Sequence, residues 1–474
     1  MPTSFELFVT TALIASLSAV VTLLIGYPTG LWLASVRRGR KILTSVLLLP
    51  FLLPAFLIGL VIRPILGGWL DDTAVGIAAV IAAHALMNTG FIAVVTAASL
   101  IPREQVEAAY LDGASSGQVR RLIEFPQQLP ALSAAGLLVA LYSATSFGLV
   151  ITLGRGEITT LETGIATAAL QLLDLPTAAG LALLQTLLTV GFFAVSSRLG
   201  ARPTVLFGES EPSPRRFPAG FVVGSLVLAA ISALVVGVLF RAVTAGPGLW
   251  GNISNLAGRG ARDILNLTVL EALGNSLRNL LVAAALSLIV AWWLSAKRVG
   301  LAVLLPIGIS PVVLGLAALV ISGYLPQAIA GSWLLLPVVQ SIFLTPLAFQ
   351  IIAPARRSLS SDLLDAARLD GARGLQLFGW VELPVLARPL TAAAALVSLG
   401  SLGEFGAARF LAYGSDQTLP LVMFRLMSRP GGENFGMAMV AASGFILVAI
   451  AVVWLVASVS PRPSPPVRTG ARRG

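Results

Sequence analysis

Cysteine is absent from this 474-residue chain, and histidine occurs once, at His84. That excludes a disulfide framework and a Cys/His metal cage, and no metal site is expected. Charge is scarce as well, with 11% charged residues against 57% hydrophobic ones. A soluble fold of this length cannot hide so much apolar surface, so the bilayer is the expected solvent. Lysine is nearly missing: Lys41 follows Arg40 and Lys297 follows Ala296. Neither belongs to a Gly-x-x-x-x-Gly-Lys-Ser/Thr phosphate cradle, so the chain carries no ATPase site of that kind. The first six residues lack the basic segment of a cleavable export signal, and the apolar run after them is long enough to span.

What is present is a series of apolar runs of spanning length, at about 8–34, 42–62, 75–100, 129–153 and 178–199. A second set falls at about 221–243, 272–294, 300–320, 327–352, 389–411 and 436–456. Eleven crossings put the termini on opposite faces. With the amino terminus outside, Lys and Arg concentrate in the cytoplasmic segments, as the positive-inside rule requires. Arg37, Arg38, Arg40 and Lys41 form one such cluster, and Arg198, Arg202, Arg215 and Arg216 another. The net charge of +10 therefore reads as orientation in a membrane whose lipid is a partner, and not as a nucleic-acid surface.

The chain also repeats itself. A shift of 258 residues lays 104–130 on 362–388 without a gap. Identical residues meet at Ala108, Ala109, Leu111, Asp112, Gly113, Ala114, Gln118, Glu124 and Pro126. The same shift pairs Phe147-Gly148 with Phe405-Gly406 and Thr160-Leu161 with Thr418-Leu419. The expected organisation is a first repeat at 1–199 and a second at 263–458. Between them, 200–262 holds a polar cytoplasmic linker, one extra transmembrane helix and an outer loop. A Pro/Arg-rich cytoplasmic tail at 459–474 is expected to be disordered. The fold class is an all-α membrane protein of about eleven helices, two parallel five-helix repeats joined by one more. Such parallel repeats place a pathway at their interface.

At the heart of each repeat lies one pattern, within 101–128 and 353–388. The first copy reads Glu107-Ala108-Ala109, three residues, Gly113, nine residues, Ile123-Glu124-Phe125-Pro126. The second reads Asp365-Ala366-Ala367, three residues, Gly371, nine residues, Val381-Glu382-Leu383-Pro384. Pro102 and Ser360 suit helix starts, and the two glycines suit left-handed stops. A second short helix then runs to Pro126 or Pro384, where proline is expected to end it. The small Ala108-Ala109 and Ala366-Ala367 pairs admit a partner surface, and Glu107, Asp112, Asp365 and Asp370 can pair with its basic groups.

This pattern resembles the EAA loop of binding-protein-dependent ABC importer permeases, departing from it only in Asp365, Val381 and Phe125. The resemblance implies a transport subunit, not an enzyme, in the bacterial cytoplasmic membrane. It also implies two ABC ATPase subunits that bind ATP and Mg, an extracytoplasmic substrate-binding protein, and no cofactor on this chain. The fused two-loop layout is similar to the thiamine and ferric-iron permeases, and Thr159–Glu162 with Leu402–Gly406 and Thr418–Pro420 looks more like the thiamine type. A ferric-iron or polyamine permease is the alternative solute reading. An ion-coupled secondary transporter is the rival class, and it predicts mid-membrane carboxylates that the spans before Glu404 lack.

Candidate pathway residues are Glu404 and Phe405 with their repeat mates Ser146 and Phe147, and His84 with Asn88. Glu404 lies late in a span, where an ionised group is costly. It either attracts a cationic solute beside Phe405 or pairs with Arg409 or outer water. His84 and Asn88, four apart on one helical face, either line the passage or bond a neighbouring helix. Pro50, Pro54, Pro306 and Pro311 are expected to kink the second span of each repeat.

Overall fold

A computed structural model describes residues 2–101, 103–198, 218–297, 303, 306, 308–359, 361–429 and 431–458. The 200–217 linker, Arg202, Arg215 and Arg216, the helix starts expected at Pro102 and Ser360, and the tail lie outside these residues. The described chain is helical throughout. Eight helices are long and apolar enough to span, and two sharply bent helix pairs raise the number to ten. The second span of the second repeat is described mainly through a shorter apolar helix.

The first repeat opens with α1 (Ser4–Ser35), started by a capping box: Thr3 Oγ1 accepts from Glu6 N, and Glu6 Oε2 accepts from Thr3 N at 2.7 Å. Helices α2 (Arg40–Leu52) and α3 (Ala55–Leu66) meet at 87°. Pro54 sits at that corner with Pro50 one turn before it, so this kink is the one the prolines call for. Helix α4 (Thr73–Ala98) runs parallel to α1, with Ser18, Gly26 and Gly30 meeting His84, Ile92 and Thr96 in turn. A Cβ on Gly26 would lie 2.6 Å from Ile92 Cβ, so glycine is what lets the two backbones approach. Beyond the short α5 (Arg103–Leu111) and α6 (Ser116–Gln118), α7 (Phe125–Ala144) breaks by 58° into α8 (Phe147–Leu153). Then α9 (Leu161–Leu170) and α10 (Leu175–Arg198) complete the repeat.

Helix α11 (Pro218–Thr244) is the connecting crossing, packed between α1 and the last helix of the chain, and α12 (Gly248–Asn255) follows it. The second repeat opens with α13 (Val269–Ser295), capped by a Thr268/Glu271 box. Helix α14 (Pro311–Ser322) starts with Pro311 in its first turn and Ser310 capping Val313 N at 3.1 Å. Pro311 thus begins a helix, a position where no N–H is lost, and does not kink one. After α15 (Gln327–Ala330) come α16 (Leu335–Arg357), α17 (Ser361–Leu369), α18 (Leu375–Leu377) and α19 (Leu383–Leu402). The short α20 (Ala408–Leu411), α21 (Leu419–Met427) and α22 (Gly432–Ser458) close the chain. Helices α13, α16 and α19 pack on one another as α1, α4 and α7 do. The spans expected at 129–153 and 389–411 are not continuous helices: the first breaks at Thr145–Ser146 and the second at Gly403. Those breaks create the central site.

Candidate functional site: two surface loops and a cavity between the repeats

Each loop is a helix, a glycine stop and a widened turn. Helix α5 ends at Gly113 (φ +85°) and α17 at Gly371 (φ +89°), both left-handed as expected. Ala114 N donates to Ala109 O at 3.0 Å and Ala372 N to Ala367 O at 2.9 Å, the six-to-one bond of a Schellman cap. The expected stop at proline does not occur. Val119–Glu124 and Phe378–Glu382 are π-helical turns that run directly into α7 and α19. Pro126 and Pro384 fall in the first turn of those helices, where the missing N–H costs little. The part of each loop after the glycine stop is therefore one continuous rod with the membrane helix, 116–144 in the first repeat and 375–402 in the second.

The loop surface differs in part from expectation. Glu107, Ala108, Asp112, Asp365, Ala366 and Asp370 are exposed. Ala109 is not: it packs with Val106 and Val119 in a small core of the loop itself, and Ala367 is half-buried. An (i, i+1) pair cannot share a helix face, so only the first alanine of each pair points outward. Asp365 already pairs with Arg368 at 2.8 Å. The side chains that sequence reasoning passed over are Leu111 and Leu369, 89% and 88% exposed at the helix tips. They are repeat mates and were among the identities, which was the available signal.

Between the repeats lies a cavity of about 460 Å³. It brings together all six pathway candidates: His84, Asn88, Ser146, Phe147, Glu404 and Phe405. Phe405 stacks between Phe56 (5.4 Å) and Phe147 (5.6 Å) and tilts against Phe424 (5.3 Å), so aromatics of both repeats close one end. From there the walls extend to Ser196, Gln350 and Ile351, near the ends of α10 and α16. Phe51, Phe91 and Tyr142 form a second aromatic wall that sequence reasoning missed, Phe51 stacking on Phe91 at 5.6 Å. No periodicity marks them, because they come from three separate helices.

Glu404 is buried but is not paired with Arg409, nor is it open to outer water. Its Oε1 accepts from Ala407 N at 2.6 Å and its Oε2 from Ala408 N at 3.0 Å. The break after α19 frees those amides, and the nearest carboxylate caps them. His84 Nδ1 lies 3.1 Å from Ser18 Oγ, tying α4 to α1, and Asn88 Nδ2 donates to His84 O at 2.8 Å. Of the two, His84 alone bonds a neighbouring helix, since Asn88 bonds back into its own, and both residues line the cavity.

The sequence profile described as Binding-protein-dependent transport system inner membrane component matches residues 26–245 and 283–465, most of the chain. The chain belongs to this family. It is thus a multi-pass inner-membrane transport component, as the loops and the apolar helices require. The permease is similar to the Thiamine transport system permease protein ThiP of Brucella abortus, 26% identical over 86% of this chain and 80% of that one. The Escherichia coli protein of that name is also 26% identical, over 74% of this chain and 67% of its own. The Haemophilus influenzae one is 34% identical, over 34% of this chain and 33% of its own. A Sulfate transport system permease protein CysW from Synechococcus elongatus is 29% identical over 41% of this chain and 76% of its own.

Proposed function

We propose that this permease imports thiamine or a related organic cation, handed over by an extracytoplasmic binding protein and driven by two separate ATPase subunits. One observation carries the reading: two equivalent loops, each running past its glycine stop into a membrane helix that lines a cavity between the repeats. Leu111 and Leu369 present an apolar tip that water disfavours and a partner cleft can bury. Exposed Glu107, Asp112, Asp365 and Asp370 supply charge around it. ATP and Mg belong to those partners, and the permease performs no covalent chemistry.

The loops face the cytoplasm, which puts the amino terminus outside and the carboxy terminus inside. In that orientation the Phe56–Phe405–Phe147 stack seals the cavity on the outer side, and its walls lead toward the loop side. Closure of the ATPases moves both rods and separates the stack, exposing the cavity outward. The repeats thus serve as the moving units, with boundaries at about 199 and 263.

The solute reading rests on chemistry and on the ThiP relatives. A ring-bearing cation suits aromatic walls through stacking and cation–π attraction. A ferric-ion path favours clustered oxygen or imidazole ligands, and among the described residues no three His, Cys, Asp or Glu side chains converge on one point. Polyamine, sulfate and iron remain the comparisons to run. The deciding experiment is reconstitution with the cognate ATPase and binding protein: ATP-dependent thiamine uptake is expected. Transport of iron, polyamine or sulfate in its place overturns the solute, and ATP-independent uptake overturns the class.

A further inference from the structure

Glu404 offers the cavity no free charge, since both its oxygens cap backbone amides. The polar groups that stand beside aromatic rings lie on the first repeat. Asn88 lines the cavity and is 4% exposed. Its Nδ2 donates to His84 O at 2.8 Å. A carbonyl can only accept, so this bond fixes which way the amide faces and leaves Oδ1 as the free acceptor. Oδ1 has no hydrogen-bond partner among the described residues, and neither has the hydroxyl of Tyr142, which lines the same cavity. Neither oxygen is sealed in the packing. Folded chains pair nearly all the polar groups they take out of water, so two free oxygens on one cavity wall call for a partner from outside the chain.

The two groups belong to a single wall. Asn88 stands three residues before Phe91 on α4, so they share a helix face. Phe91 stacks on Phe51 of α2 at 5.6 Å, and Phe51 meets the Tyr142 ring of α7 at 6.1 Å. An acceptor, a hydroxyl and two phenyl faces are thus connected across three helices. Gly400, the repeat mate of Tyr142, also lines the cavity and brings no side chain, so at that position the second repeat contributes only space.

We propose that Asn88 and Tyr142 are the specificity-determining pair of the solute path, holding an amino-substituted nitrogen heterocycle by its edge while Phe51 and Phe91 take its face. The Tyr142 O–H donates to a ring nitrogen, and Asn88 Oδ1 accepts from the exocyclic amine next to it. The aminopyrimidine ring of thiamine carries those two groups side by side. The inference rests on the thiamine reading and deepens it: the uncharged ring is what the permease selects, and ring faces alone meet the positive charge.

The test uses the permease with its ATPase and binding protein in proteoliposomes. Import of thiamine is compared with import of the analogue whose exocyclic amine is replaced by a carbonyl oxygen, each at a concentration that saturates the binding protein. That replacement puts an acceptor where Asn88 needs a donor and a proton on the ring nitrogen that Tyr142 addresses. The wild type is expected to import thiamine faster, and Y142F and N88L each to cut that preference by roughly three- to tenfold. Y142F keeps the ring, and N88L loses only a bond within its own helix, so thermal stability should stay at the wild-type value. A merely structural role would lower both import rates together and leave their ratio intact. An unchanged ratio in both variants, or equal import of the two compounds by the wild type, would overturn the inference and mark these groups as water-binding only. Failure of the wild type to import thiamine at all would instead overturn the solute reading beneath it.

Discussion

Leu111 and Leu369 permit the most direct test of docking. Each is an apolar side chain held almost fully in water, 89% and 88% exposed, at the last turn of its loop helix. Burying a leucine fully contributes about 1.5–3 kcal/mol, and truncation to alanine forfeits most of that. A loss of about 2 kcal/mol corresponds to roughly thirty-fold weaker binding for each ATPase contact. The two tips belong to different repeats and share no packing partner, so the double variant should lose nearly the sum. The assay is titration of purified ATPase onto the permease in nanodiscs, with L111A, L369A and L111A/L369A compared with wild type. Because neither side chain supports the loop core, thermal stability of the isolated permease should stay unchanged. Affinities of all three variants within twofold of wild type would refute the reasoning, since a buried contact cannot be removed at so little cost.

A Cβ at Gly113 or Gly371 would meet no neighbouring atom within 4 Å, so Gly113→Val and Gly371→Val should act mainly through backbone strain, about 1–2 kcal/mol at a positive φ. Import per ATP should fall in each, and normal coupled uptake in both would count against the loop role. Glu404→Gln keeps one acceptor oxygen for two backbone amides, so the α20 cap should weaken by about 1–2 kcal/mol and the melting temperature drop. Substrate preference should not change, and a shift toward neutral analogues would move Glu404 from helix cap to solute contact. Gly90→Ala presses a methyl against the Leu47 backbone, and overpacking of about 1–3 kcal/mol should appear as lower thermal stability. The absence of native cysteine makes S146C a clean reporter. Impermeant thiol reagents added outside should label S146C slowly in the resting protein and faster with Phe405→Ala, whereas equal labelling would show that the aromatic stack is not the outer seal.

The identity of the solvent was legible in the sequence, because 57% hydrophobic residues with few charges permit no other large-scale solution. So was the matched loop, since a glycine stop and a doubled spacing are local properties that chain order preserves. The left-handed Gly113 and Gly371 follow from that local logic. Sequence spacing also set His84 and Asn88 on one face, but it did not bring Ser146 and Glu404 to the same cavity wall. Only packing across the two repeats does that, through breaks whose angles depend on neighbours such as Pro54 against Gly403. The same holds for Ala109 turning inward, Leu111 standing outward, and Pro126 continuing a helix it was expected to stop. Each depends on whether a neighbouring element covers the residue, which local periodicity does not encode. The meeting of Tyr142 with Phe51 and Phe91 lies furthest from sequence reach, because their helices α7, α2 and α4 are separated along the chain and bring the rings together only when all three converge.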